Sequence, residues 1–448
     1  MEHQPTRNWK ERLFYTTTKS DDGSRMRSVV NNAILHLHPV SVPTRALKFS
    51  YTWGLGGISV LLALMLGITG VLLMFRYDAS IERAYISIQE IEATVIFGSL
   101  IRGIHHWSAN LLVITAFLHL LRVFFTGGFK KGRSMNWYIG IALFVIVLAF
   151  NFTGYLLPWD QLAYWASTVG TSLLGYIPFI GQELSKFIMG GLVLGQGTLR
   201  NFYAIHVAAL PILMVAAISY HFWKIRKNGG ISQPEQGNQI RIDKLTTIPH
   251  LIQRELAVAA IIFAGVLIWA MFTPAPLLDL ANPGISPNPA KAAWYFVGLQ
   301  ELLLHIHPSA AIGLIAIIFL GMLLTPVLDR SGEDIGVYFR SQKGKRIALF
   351  SSFLSLDFVP LLVVADEYWL DLPTVFPNWP AEISQGLLPL VISLIGLGLI
   401  YGLNRWLFKA KHSEAFIGVF TFIIVGLVVL TIIGMFFRGP NMAFVLPG

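Results

Sequence analysis

The chain contains no cysteine. That excludes disulfides, iron–sulfur ligation by this chain and thioether attachment of haem. Any metal or haem chemistry must rest on histidine, methionine, tyrosine or carboxylate. Charge is also scarce. Asp, Glu, Lys and Arg make up 13% of the 448 residues, against 54% hydrophobic, where an average soluble domain has roughly 25% charged residues. The polar first 50 residues hold no cleavable apolar core, so no signal peptide is expected. What fills the sequence instead is a series of apolar runs about 20 residues long, enough to cross a bilayer about 30 Å thick as helices. The short alternating segments of a β-barrel are not the pattern. The expected class is an all-α polytopic membrane protein. The net charge of +9 would suggest nucleic acid in a soluble protein. Here it fits cytoplasmic loops, and no nucleic-acid partner is expected.

Candidate spans fall at 51–75, 98–125, 136–157, 202–224, 255–273, 310–328, 347–364, 385–404 and 415–437. The seventh holds Asp357, which leaves a re-entrant or surface helix as its alternative. With the N-terminus in the cytoplasm, cytoplasmic segments hold 25 of the 33 Lys and Arg residues and the opposite loops hold 5. That bias supports the orientation and the number of crossings. The Gly, Gln and Pro content after the fourth span marks a linker. The expected organisation is a cytoplasmic segment 1–50, a bundle 51–230, a linker 231–254 and a second membrane region 255–448. A four-helix bundle with four to five further transmembrane helices follows.

Histidine is costly in hydrocarbon, yet the second and fourth spans carry it repeatedly. His105 and His119 are 14 residues apart, close to four turns and about 21 Å along a helix. His206 and His221 are 15 apart, with Pro211 between them to absorb the angular difference. The competing reading is a set of polar packing histidines. Matched pairs at two depths on two helices instead suit two bis-histidine b-type haems. By direction of travel, His105 pairs with His206 on the outer side and His119 with His221 near the cytoplasm.

Gly56 and Gly70 on the first span, and Gly140 and Gly154 on the third, repeat the spacing of 14. Glycine admits a close flat ring, although small residues also serve plain helix packing. Arg102 and Arg122 each stand three residues from a histidine. An arginine inside a span needs a partner, for which haem propionates and lipid headgroups are the candidates. His106 reads as a rim contact. His3, His36, His38, His250 and His412 lie in polar segments and are expected to be solvated.

The stretches "IRGIHHWSANLLVITAFLHLLRVFFTGGFKKGR", "GYLLPWDQLAYWA" and "NFYAIHVAALPILMVAAISYHFWKIRK" resemble cytochrome b of quinol:cytochrome c and plastoquinol:plastocyanin oxidoreductases. The resemblance covers roughly residues 30–330. The 15-residue histidine spacing is similar to the chloroplast-type protein, and the part from Pro249 resembles its subunit IV, fused in one chain. The resemblance implies two b haems, an outer quinol-oxidising site and a cytoplasmic quinone-reducing site. It implies a Rieske-type iron–sulfur protein or c-type cytochrome as partner, a homodimer, and the inner membrane of a prokaryote.

Three departures stand out. Gly54 in "WGLGG" occupies the position where the chloroplast-type protein attaches a further haem through cysteine, so no covalent haem is expected. Asn201, beside Arg200, replaces an arginine. In "NPAKAAWYFVGLQELL", Trp294 and Tyr295 match the family's outer-site motif, but Ala292 and Ala293 replace its Pro and Glu. A quinol site needs a proton acceptor within reach. Glu301 is the first candidate, with His305, His307 and Asp160 behind it. On the cytoplasmic side Arg226 and Lys130 are candidates for the inner quinone site. Two functions remain open: a quinol-oxidising enzyme subunit, or a haem-bearing conduit that moves electrons across the bilayer without splitting them.

Overall fold

The computed structural model describes residues 21–32, 38–233, 243–330 and 335–446. His3, His36 and the middle of the expected linker lie outside them. Among the described residues nine helices are long and apolar enough to span a membrane. They are α2 (Leu55–Met74), α4 (Gly98–Phe125), α5 (Ser134–Leu156), α8 (Gln196–Lys227), α9 (Thr247–Phe272), α11 (Pro308–Leu328), α12 (Gln342–Tyr368), α13 (Glu382–Leu407) and α14 (His412–Phe436). Shorter helices are α1 (Asp22–Asn31), α3 (Ala84–Thr94), α6 (Gln161–Leu174), α7 (Gly181–Met189) and α10 (Trp294–His305). All nine expected spans are present. The seventh is an unbroken 27-residue helix, about 40 Å long, so the re-entrant alternative does not hold.

Several helices outrun the expected bounds, because they continue into polar sequence where caps stop them. Asp160 accepts from the Ala163 N–H at the start of α6 (2.9 Å), and Ser341 does the same for Gly344 in α12 (2.9 Å). The helix α9 starts at Thr247, inside the expected linker. Just before it, β2 (Lys244–Thr246) pairs antiparallel with β1 (Ser41–Pro43), Ser41 opposite Thr246. The segment before the first span is thus stitched to the end of the linker. We call this end of the bundle the N-side and the opposite end the far side.

The first four spans form one bundle. Its centre is an apolar plug of Leu62, Met65, Leu112, Val113, Val147 and Met214, closed by Val266 of α9. The second half joins it on the N-side through Phe124, Phe129, Trp137 and Ile141 against Ala348, Ile417 and Phe420. The rings of Phe124 and Phe420 stack at 3.7 Å.

Candidate functional site

The plug separates two levels of histidine. On the far side, His105 of α4 and His206 of α8 face each other with ring centres 6.4 Å apart. Two imidazoles bound to one metal from opposite sides, at roughly 2 Å each, have centres about 6 Å apart. Thr69 sits 3.0 Å from Nδ1 of His105, and Thr153 sits 3.2 Å from Nδ1 of His206. Each threonine hydroxyl donates its own hydrogen to a carbonyl, of Met65 (2.7 Å) and Ala149 (2.8 Å). Its oxygen therefore accepts from the ring. That fixes the proton on Nδ1 and leaves Nε2 of both rings as a bare lone pair.

On the N-side, His119 of α4 lies against Gly56 and His221 of α8 against Gly140. Nδ1 of His221 is buried without a hydrogen-bond partner among the described residues. All four expected glycines sit against these rings. A Cβ at Gly70 would stand 3.2 Å from Cε1 of His105, at Gly56 3.4 Å from His119, at Gly140 3.9 Å from His221, and at Gly154 2.6 Å from His206. The glycines thus make room first for the imidazoles.

The 15-residue spacing is resolved by a π turn over Ile205–Ala209, where Leu210 bonds back five residues to Ile205. Pro211 has no N–H for the preceding turn and crowds it, so the turn widens. The extra residue restores an effective spacing of 14, the same as in α4.

The two arginines differ. Arg102 bonds Glu92 of α3 and the carbonyls of Ala275 (2.9 Å) and Pro276 (2.5 Å) through Nη1 and Nη2. Arg122 lies 5.1 Å over the Tyr51 ring, and its Nε is buried without a partner among the described residues. His106 packs edge-on against Trp107 at 4.8 Å.

Trp294 opens α10 and donates from Nε1 to Asn110 of α4 (2.6 Å). Tyr295 joins it against the plug. Glu301, two turns on, is fully buried and held by Arg438 (Nη2 to Oε1, 2.7 Å). His305 Nε2 lies 3.2 Å from the same carboxylate, and its Nδ1 lies 2.7 Å from Asp366. Burial raises the Glu301 pKa, but bonds from His305 and Arg438 outweigh it and hold the carboxyl below its usual range. Burial depresses His305, yet Asp366 and Glu301 raise its pKa to about 9. Glu301 is therefore an ion-paired carboxylate, coupled to the surface through His305.

Other candidates are otherwise occupied. Asp160 uses one oxygen on Ala163 and the other on the Leu278 N–H (3.1 Å). Arg200 is exposed, and Asn201 bonds the carbonyls of Phe187 and Ile188 (both 3.3 Å). His307 bonds Ser309. Lys130 is buried, 2.8 Å from Asp329, which also binds Arg340. Burial pushes Asp329 up, but Arg340 and Lys130 pull its pKa below normal. Arg226 is half-buried at the N-side end of α8. His38 and His412 are not simply solvated: His38 lies 3.0 Å from Glu255, and His412 lies 2.7 Å from the Tyr401 hydroxyl. Thr69, Thr153 and Asn110 escape the sequence reading. The signal was present, since each threonine stands immediately before a glycine of the repeat.

A family profile, cytochrome b/b6/petB, matches residues 41–229. Cytochrome b6 of Heliobacterium mobile is 42% identical over 197 residues, covering 44% of this chain and 90% of that protein. Cytochrome b6 of Porphyra purpurea is 42% identical over 180 residues, covering 40% and 83%. A solved chain of a hyperthermophilic respiratory Complex III superposes with a TM-score of 0.62 at 21% identity, over 87% of this chain and 97% of that one; that likeness is one of fold. Fold and site define a multi-pass membrane electron-transfer subunit. The chain belongs to the cytochrome b/b6 family, which implies b-type haem. The residues present fit such a group. The facing rings of His105 and His206, the glycines where a side chain would collide and the orphaned Nε of Arg122 all suit it.

Proposed function

We propose that the chain is the di-haem cytochrome b subunit of a membrane quinol:cytochrome c-type oxidoreductase. It would carry electrons from a quinol site on the far side, taken as the outer face, to a quinone site on the N-side, taken as the cytoplasmic face of a prokaryotic inner membrane. One observation carries this reading: His105 and His206 face each other at 6.4 Å, and the same two helices carry His119 and His221 four turns on, beyond an apolar plug. His105 with His206 would hold one b-type haem and His119 with His221 the other. Arg122 would meet a propionate of the second. Bound haem supplies one-electron chemistry at two depths. The chain's own part is to present the histidine nitrogens, fix the ring protons of His105 and His206 and keep water from the path between levels. Residues 51–230 are then the haem bundle and 255–448 a subunit IV-like region. A Rieske-type iron–sulfur protein or c-type cytochrome, lipid and a second copy of the chain are the expected partners.

Quinol would bind against Trp294 and Tyr295. A proton passed to Glu301 has a hydrogen-bonded route through His305 to Asp366 and water. On the N-side, Arg226 is the candidate for the quinone. The alternative is a conduit that does not split the electron pair, and Ala293 in place of the family's glutamate favours it. The test is oxidant-induced reduction in the purified complex. Quinol is added with the inner site blocked, then a high-potential oxidant, and b-haem absorbance is followed. Transient extra reduction is expected. Its absence, with the haems reducible by other donors, would leave the conduit.

A further inference from the structure

Among the described residues of the second half, Asp357 is a feature that a bilayer should not tolerate as it stands. It lies 11 residues after Arg346 and 9 before Asp366, about 16 Å and 14 Å along α12. The basic N-side end, with exposed Lys345 and Arg346, and the far end, with exposed Tyr368 and Trp369, mark the two membrane surfaces. The carboxylate therefore sits at mid-depth. It is exposed, and among the described residues no hydrogen bond or ion pair reaches it. Its neighbours at helical spacing, Leu349, Phe353 and Leu361, are each more than half exposed, so the stripe faces outward. Pro360 within the helix adds a second acceptor. It has no N–H for the carbonyl of Leu356, which leaves that oxygen without its helical donor beside Asp357.

Ionisable groups inside a membrane are costly and pair with a complementary group or a water-filled cavity. Lipid tails offer neither. A second copy meeting this face about a two-fold axis would oppose like charges. The need is for donors and positive charge at mid-depth. We propose that the outward stripe of α12, centred on Asp357, docks a transmembrane helix of a partner subunit that carries a lysine or arginine at mid-depth. The cation would satisfy the carboxylate and the Leu356 carbonyl together. Leu349, Phe353 and Leu361 would supply the apolar packing on either side. The proposal stands apart from the quinol reading, because it rests on charge and depth alone.

The test uses the whole complex, purified in mild detergent. A benzophenone amino acid at Phe353, one turn from Asp357, is photolysed and the adduct identified by mass spectrometry. The expected adduct is a transmembrane segment of another subunit with Lys or Arg at its centre. In a second variant, Asp357→Leu, that subunit should fall about tenfold in the complex, while the chain's haem spectrum is kept. Leucine at a lipid-facing position favours insertion, so misfolding does not mimic the result. Exchanging the charges, Asp357→Arg with the partner's cation changed to Asp, should restore the subunit. An adduct to lipid alone or to a second copy of this chain overturns the proposal. So does unchanged subunit composition in Asp357→Leu.

Discussion

At the scale of single residues, the bundle depends on where a methyl group does not fit. Gly154 and Gly140 lie on the same helix and both face a histidine, but at 2.6 Å and 3.9 Å from a built Cβ to the ring. Gly154→Ala should displace His206 and bleach the haem proposed for the far side, seen as loss of about half the b-haem in a pyridine haemochrome assay if two are held. Gly140→Ala should keep the haem content unchanged and gain up to about 1 kcal/mol of helix propensity. Equal haem loss in the two variants would refute the close-packing account. His305 makes a second residue-level prediction. Its pKa rises from the ordinary 6.5 to about 9 because Asp366 and Glu301 outweigh burial. A raised value means its stabilisation is complete below about pH 6.5 and is lost as pH climbs through about 9, on the order of a few kcal/mol. The melting midpoint of the detergent-solubilised complex should fall between pH 6.5 and 9.5, and His305→Gln should flatten that slope. Arg438, Glu301, Asp366 and Glu367 all face this cluster, so the variant tests the ring's proton against a fixed charge background.

At the scale of elements, α8 shows what periodicity can and cannot reveal. The histidine spacing of 15 on α8 against 14 on α4 is legible in the sequence, and Pro211 marks the place where the difference must be absorbed. The device is a π turn rather than a kink, and a proline does not say which. Deleting Ala208 should convert the turn to a regular helix with a true histidine spacing of 14, which keeps both rings of α8 on one face. The expected result is unchanged haem content, read by redox difference spectra. Loss of haem would mean that the turn does more than absorb the extra residue. The nine spans were legible because apolar length is a local property. The ion pairs of Arg102 and Lys130 were not legible, because each partner sits on another element. Glu92 reaches Arg102 from α3, and Asp329 meets Lys130 from 199 residues away. A charge inside or beside a span announces that it needs a partner. It does not announce whether that partner is a cofactor, a quinone or its own chain.

At the scale of the whole molecule, two halves must stay registered for Trp294 to meet Asn110 across them. Contacts on both sides do this. On the far side, α10 reaches the first bundle through the Trp294–Asn110 bond and the plug. On the N-side, Lys130 from the loop after α4 and Arg340 from the loop before α12 converge on Asp329, and Arg340 also donates to the Phe124 carbonyl (2.8 Å). All three charged side chains are buried. Such a triad is strong evidence of registration but weak evidence of net stability, since desolvation offsets most of the attraction. Two outcomes separate those meanings. Asp329→Asn leaves two buried cations without their carboxylate and should cost about 3–5 kcal/mol, seen as a lower melting midpoint and faster proteolysis of the loop before α12. Replacing all three together, Lys130→Met, Asp329→Leu and Arg340→Met, should recover most of that loss, because no buried charge is left unpaired. The triple variant should still lose registration between halves, which a spin-label distance from α4 to α12 on the N-side would show as a broadened distribution. A triple variant as unstable as Asp329→Asn would mean that the ion pairs hold the halves together energetically. Recovered stability with a broadened distance would mean that apolar packing between Phe124 and Phe420 supplies the energy and the charges supply the address.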